Sequence, residues 1–137
     1  MEIKSNDATP QRPEGDRVLD AAVVTMDLNH FVKQIKSEPS WKDSDRNSIT
    51  IYKANTLRIV LIGMHQGAEL TTHTADGKIS VQVLTGHATF TAGQQSIELK
   101  EGQMVAVHEL VPHSVKANKE TFLLLTLAVT THKIDQV

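Results

Sequence analysis

From about Ser48 onward the chain consists of short runs rich in β-branched residues, broken by turn signals, with no stretch left over for a helix. The runs are "SITIYKA", "TLRIVLIGMH", "KISVQVLT", "HATFTA", "QSIEL", "QMVAVH", "HSVKA" and "ETFLLLTLAV". The later ones are separated by Gly86, Ala92–Gly93, Glu101–Gly102, Val111–Pro112 and Ala117–Asn118. Parallel strands need crossovers of about a dozen residues or more, whereas antiparallel strands tolerate connections this tight. The spacing predicts an all-β, antiparallel sandwich or barrel. The segment "ADGK", residues 75–78, holds an Asp-Gly pair suited to a tight hairpin.

The first half of the chain reads differently. Residues 1–20 carry Pro10, Pro13 and Gly15 among polar and charged neighbours and predict a flexible arm. Residues 21–47 predict a short amphipathic helix and its connection. Leu28, Phe31, Val32 and Ile35 recur at helical spacing, Asp27 can cap the start, and Pro39 stops the end. That apolar stripe is expected to pack on the barrel, which is read over residues 48–130, with residues 131–137 as a tail. The last strand is apolar on both faces, with Phe122, Leu123, Leu124, Leu125, Leu127 and Val129. A half-buried antiparallel strand alternates instead. The helix or a second subunit must cover the extra face, and a homodimer is expected.

Composition removes several kinds of chemistry. The chain has 137 residues, a length that suits one domain with a real core. It has no cysteine, which excludes disulfides, thiolate zinc sites and a cysteine nucleophile. The net charge of −2 and only five aromatic residues (one Trp, one Tyr, three Phe) give nucleic acid little to hold. No apolar run reaches membrane length, and the N-terminal residues are too polar for a signal peptide, so a cytoplasmic location is expected. There is no phosphate-cradling glycine loop and no nucleophile elbow. Seven histidines are the one unusual resource.

The glycines and histidines of the β region resemble the cupin family. Its first motif, G-x5-H-x-H-x3,4-E-x6-G, is matched in spacing by Gly67, His73, Ala75, Ile79 and Gly86. Its second, G-x5-P-x-G-x2-H-x3-N, is met by Gly102 and His113, with His108, Leu110 and Ala117 standing for the proline, glycine and asparagine. Fifteen residues separate Gly86 from Gly102, about the shortest gap cupins use. The likeness covers roughly residues 50–129 and is strongest to small single-domain RmlC-like cupins of the "xSVQVLxG … PHxVxA" type. It implies a cupin-type β-barrel, the double-stranded β-helix or jelly roll, with one short N-terminal helix.

The resemblance also implies where a metal would sit. Family members that hold one use two histidines and a glutamate from the first motif and a histidine from the second. Those positions are His73, Ala75, Ile79 and His113 here, so the ligand set is degenerate. Strand alternation places Thr71, His73 and Ala75 on one face, Ile79, Val81 and Val83 on another, and His113, Val115 and Ala117 on a third. Each is the more apolar face of its strand. The expected pocket lining is therefore His73, Ala75, Ile79, Val81, His113 and Val115, with no cofactor.

Three functions stay open at this point. One is a binding or structural module whose two imidazoles give polar contacts to a small-molecule ligand, or bond each other as core histidines. Another is a metal-dependent dioxygenase or isomerase that completes a divalent site with His65 or His108 as the third ligand. The third is a metal-free enzyme with a histidine base, for which no orienting aspartate is identifiable. No catalytic residue is assigned. His87 is read as partly exposed, His30 as on the polar side of the helix and His132 as in the tail.

Overall fold

The structure is a computed structural model and describes residues 4–6 and 17–129. Strand β1 (Lys4–Asn6) pairs antiparallel with β2 (Arg17–Asp20), so the arm expected over residues 1–20 contains a strand pair. What anchors it is visible at β2, where Leu19 is buried and the Arg17 Nε donates to the Thr50 carbonyl at 2.7 Å. The rest of that arm, and the tail, lie outside the described residues.

Two helices follow where one was expected: α1 (Leu28–Ser37) and α2 (Pro39–Asp43). The Asp27 carboxylate caps α1 by accepting from the His30 amide at 3.2 Å. Such a cap contributes about 1 kcal/mol. Glu38 closes α1 and at the same time precedes α2, whose first residue is Pro39. Proline lacks the amide that a first helical turn leaves unbonded, so the residue that ends one helix starts the next.

The strands that follow are β3 (Arg46–Lys53), β4 (Leu57–Met64), β5 (Glu69–His73), β6 (Gly77–Thr85), β7 (His87–Ala92), β8 (Gln95–Lys100), β9 (Met104–Val107), β10 (His113–Ala117) and β11 (Thr121–Val129). They form a five-stranded sheet in the order β3-β4-β11-β6-β9 and a four-stranded sheet in the order β5-β10-β7-β8, with every pairing antiparallel. The ladders of the two sheets do not join among the described residues, so the cylinder is two facing sheets rather than one closed sheet. No described helix is long and apolar enough to cross a membrane.

Asp76–Gly77 does not close a hairpin. β5 pairs with β10, while β6 pairs with β11 and β9, so residues 74–76 turn the corner from one sheet to the other. Gly77 serves close packing instead: a Cβ there would run into the Ala128 carbonyl of β11. An Asp-Gly signal marks a tight place in the backbone, and a hairpin is only one such place.

β11 lies at the centre of the larger sheet, between β4 and β6. Leu123 belongs to the core between the sheets, together with Val81, Val83, Phe90 and Val115. Phe122 belongs to a second core, with Ile35 and Trp41 of the helices and Ile49, Ile51 and Leu61 of the sheet's outer face. Leu124 packs on that second core. The helices thus supply cover for the strand's second face. A polar clamp holds the helices in place: Gln34 Nε2 and Asn47 Nδ2 donate to the two oxygens of buried Glu38, at 3.1 and 2.9 Å. Buried charges persist only when they are satisfied in this way.

Candidate functional site

Between the sheets lies a cavity of about 90 Å³. The five-stranded sheet supplies Ile62, Ile79, Val81, Leu123, Leu125 and Leu127, and the four-stranded sheet supplies Leu70, His73, Phe90, His113 and Val115. Ala75 closes the list from the corner between β5 and β6. All six residues expected at the pocket are thus brought together around one space. Ile62, Leu70, Phe90 and the three β11 leucines were missed. Alternation in "HATFTA" points to Phe90, but the unbroken apolar run of β11 hides which of its faces looks inward.

The histidine pair sits across β5 and β10, where His73 is the register partner of His113. The rings meet edge to face with centroids 4.3 Å apart and planes at 64°. Phe90 lies nearly parallel to His113 at 5.9 Å. Each Nδ1 lies near the carbonyl two residues earlier in the chain, Thr71 O of β5 at 2.8 Å for His73 and Val111 O, just before β10, at 2.9 Å for His113.

His113 is 5% exposed, whereas His73 is exposed and stands at the rim, not in the core. The simple alternation predicted for β5 also fails. Between Leu70 and His73 the strand spends three steps against two in β10, from Val115 to His113. That bulge turns Leu70 and His73 to the cavity in place of Thr71 and His73.

The loop after β9 meets the corner between β5 and β6 beside the cavity. Its Leu110 amide donates to the Ala75 carbonyl at 3.0 Å. Leu110 has φ 65 and is 64% exposed. Here the chain carries leucine where the resembling motif carries glycine, in a left-handed conformation that costs an ordinary residue about 1–2 kcal/mol. Leu110→Gly is expected to raise the unfolding free energy by up to about 1 kcal/mol, since the gain is reduced by the freer unfolded chain. Urea denaturation checks this, and a loss of stability would show that the leucine side chain has a packing role at the rim.

The third-ligand candidates are elsewhere. His65 stacks on Trp41 at 3.7 Å, and its Nε2 lies 2.7 Å from the Trp41 carbonyl, on the helix side of the larger sheet. His108 is exposed and does not line the cavity. Ala75 and Ile79 offer no lone pair, and no group of three or more histidine, aspartate or glutamate side chains among the described residues could hold a metal ion. The donor set does not fit the metal that cupin motifs imply. Two imidazoles leave a divalent ion short of ligands, with no carboxylate to offset its charge against an apolar wall.

One polar cluster had no sequence signal. On the four-stranded sheet, Asn118 Nδ2 reaches His87 Nδ1 at 3.1 Å and the Thr89 hydroxyl at 2.9 Å. Glu98 Oε2 lies 3.1 Å from His87 Nε2 and accepts from Thr89 at 3.1 Å. Its members come from β7, β8 and the residue after β10, which meet only in the folded sheet, and both nitrogens of His87 are engaged.

No family model matches the sequence, and no curated protein matches it. Solved structures do. The chain is similar to a conserved protein of unknown function from Streptococcus pyogenes, with TM-score 0.65 and 23% identity over 82% of this chain and 91% of that one. It is similar to a cupin superfamily protein from Desulfitobacterium hafniense, with TM-score 0.65 and 15% identity over 82% and 95%. Salicylate 1,2-dioxygenase from Pseudoaminobacter salicylatoxidans (a G106A mutant) gives TM-score 0.67 and 18% identity over 75% of this chain but only 34% of the enzyme. The chain is a cupin by fold. Within that class it has the form of a small single barrel of the kind seen in an RmlC-like cupin from Desulfovibrio desulfuricans, with TM-score 0.58 and 25% identity over 63% and 84%.

Proposed function

We propose that the protein binds a small, largely apolar molecule in the cavity between its sheets, without a resident metal centre. The observation that carries this reading is the chemistry of the wall. Ten of its twelve residues are apolar, and the two polar ones, His73 and His113, are neighbours at one end. A cavity of about 90 Å³ has the volume of roughly three liquid waters, yet so apolar a wall gives water few partners. The exposed His73 at the rim leaves a path in, and an occupant can extend past it.

Benzene is a suitable first probe, followed through the methyl resonances of isotope-labelled protein. Shifts are expected at Val81, Val115 and Leu123 and not at Ile49 or Ile51, which lie in the helix-facing core. Val115→Leu adds one methylene to the cavity wall. It is expected to raise stability by about 0.5–1 kcal/mol, as cavity-filling changes commonly do, and to weaken benzene binding. Absence of cavity shifts at millimolar benzene, or destabilisation by Val115→Leu through overpacking, would count against an available space.

A further inference from the structure

Building on that binding reading, we propose that the occupant is a neutral hydrogen-bond donor, a small apolar alcohol or phenol, whose hydroxyl donates its one hydrogen to the imidazole pair, at Nε2 of buried His113 or of His73 beside it. The backbone fixes this polarity. A peptide carbonyl can only accept, so the Nδ1 atoms facing Thr71 O and Val111 O carry the hydrogens. A neutral imidazole protonated at Nδ1 has its lone pair on Nε2. Both rings are therefore set as acceptors by the backbone two residues before them, before any ligand arrives.

No described group donates to either Nε2. The contrast is His87, whose two nitrogens both have side-chain partners. His113 is 5% exposed, and a buried acceptor of this kind ordinarily has a partner. The rest of the wall is aliphatic or aromatic carbon and cannot provide one.

The same geometry excludes other headgroups. A carboxylate or phosphate would meet two lone pairs and no cation. An ammonium ion would meet acceptors, but no carboxylate to offset its charge inside the apolar wall. A ketone or ether would find no donor. A hydroxyl satisfies an imidazole and brings no charge.

The test uses four probes of one ring size, benzene, anisole, phenol and benzoate, titrated into the intact protein near pH 8, where histidine is ordinarily neutral. Phenol is expected to bind about fivefold to tenfold more tightly than benzene or anisole, the ratio that one net hydrogen bond supplies, and benzoate more weakly than all three. His113→Phe is expected to abolish the phenol preference while benzene still binds. If that variant fails to fold, His73→Phe at the exposed rim should narrow the preference.

Long-range nitrogen–proton spectra of the imidazoles read the tautomer directly, and both rings should be protonated at Nδ1. Equal affinity for phenol and anisole would overturn the donor assignment and leave the binding reading standing. So would tighter benzoate, or Nε2-protonated rings. Binding of none of the four would overturn both.

Discussion

Gly86→Ala is expected to cost more than about 3 kcal/mol and to leave much of the protein unfolded, whereas Gly93→Ala should cost only about 1 kcal/mol. Both glycines have positive φ, 104 and 59. Backbone conformation alone therefore penalises an alanine at each, by about 1–2 kcal/mol, less the entropy that alanine removes from the unfolded chain. Their surroundings differ. Nothing lies within 4 Å of a Cβ built at Gly93. A Cβ at Gly86 would run into the Thr121 hydroxyl, 2.5 Å from the Glu120 carbonyl and 2.7 Å from the Thr121 Cα.

Those atoms cannot easily move. Thr121 is fully buried, and its hydroxyl accepts from the His87 amide at 3.1 Å and donates to the Lys119 carbonyl at 2.7 Å, with the His87 carbonyl 3.1 Å away. The passage from β6 to β7 is thus stapled to the start of β11, and a side chain at Gly86 would have to pry that staple open. Urea denaturation of the two variants side by side is the measurement. Equal losses would mean that only backbone conformation matters, and that the close approach at Thr121 does not hold.

The glycines also show what a sequence conveys and what it withholds. Gly86 falls at a motif position and was read as a break between strands, which it is. Nothing local says that its hydrogen faces a threonine thirty-five residues away. Gly77 misled for the same reason, because a glycine required by Ala128 of β11 looks like a glycine required by a hairpin. The strand segments themselves were legible, since burial alternates with period two along β6 and β10, and the residues repeat that alternation. The order of strands was accessible only through resemblance to a known fold.

Much of the candidate site followed from the same two sources. Motif spacing located His73 and His113, and period two then added Val81 and Val115. The exposure of His73 did not follow, because the bulge in β5 is carried by Thr71 and Thr72, two residues that would suit a regular strand equally well. Nor did the tautomers. The carbonyls that fix them belong to Thr71 and Val111, and a carbonyl has no residue-specific signature. The His87 cluster shows the same limit: Asn118 and Glu98 are ordinary surface residues until the sheet sets them beside the ring.

Phe90→Ala should produce the other large effect, a loss of about 3–5 kcal/mol, the usual cost of deleting a buried aromatic. Phe90 is fully buried on β7, opposite Val115 of β10 and Ile97 of β8, and its ring lies along His113. The change is distinctive because Phe90 also lines the cavity, so the space it vacates merges with space already present. An apolar void of this kind stays dry and accepts a ring-sized guest. Benzene that binds only the folded form then returns part of the loss, about 1.4 kcal/mol at ten times its dissociation constant. The midpoint of thermal unfolding of Phe90→Ala should therefore rise with benzene concentration, more steeply than that of the parent protein, and the His113 ring resonances should shift along the same titration. A variant that loses stability without gaining this dependence would show that the sheets collapse onto the vacated space. The cavity would then be held open by the Phe90 ring and not by the two sheets.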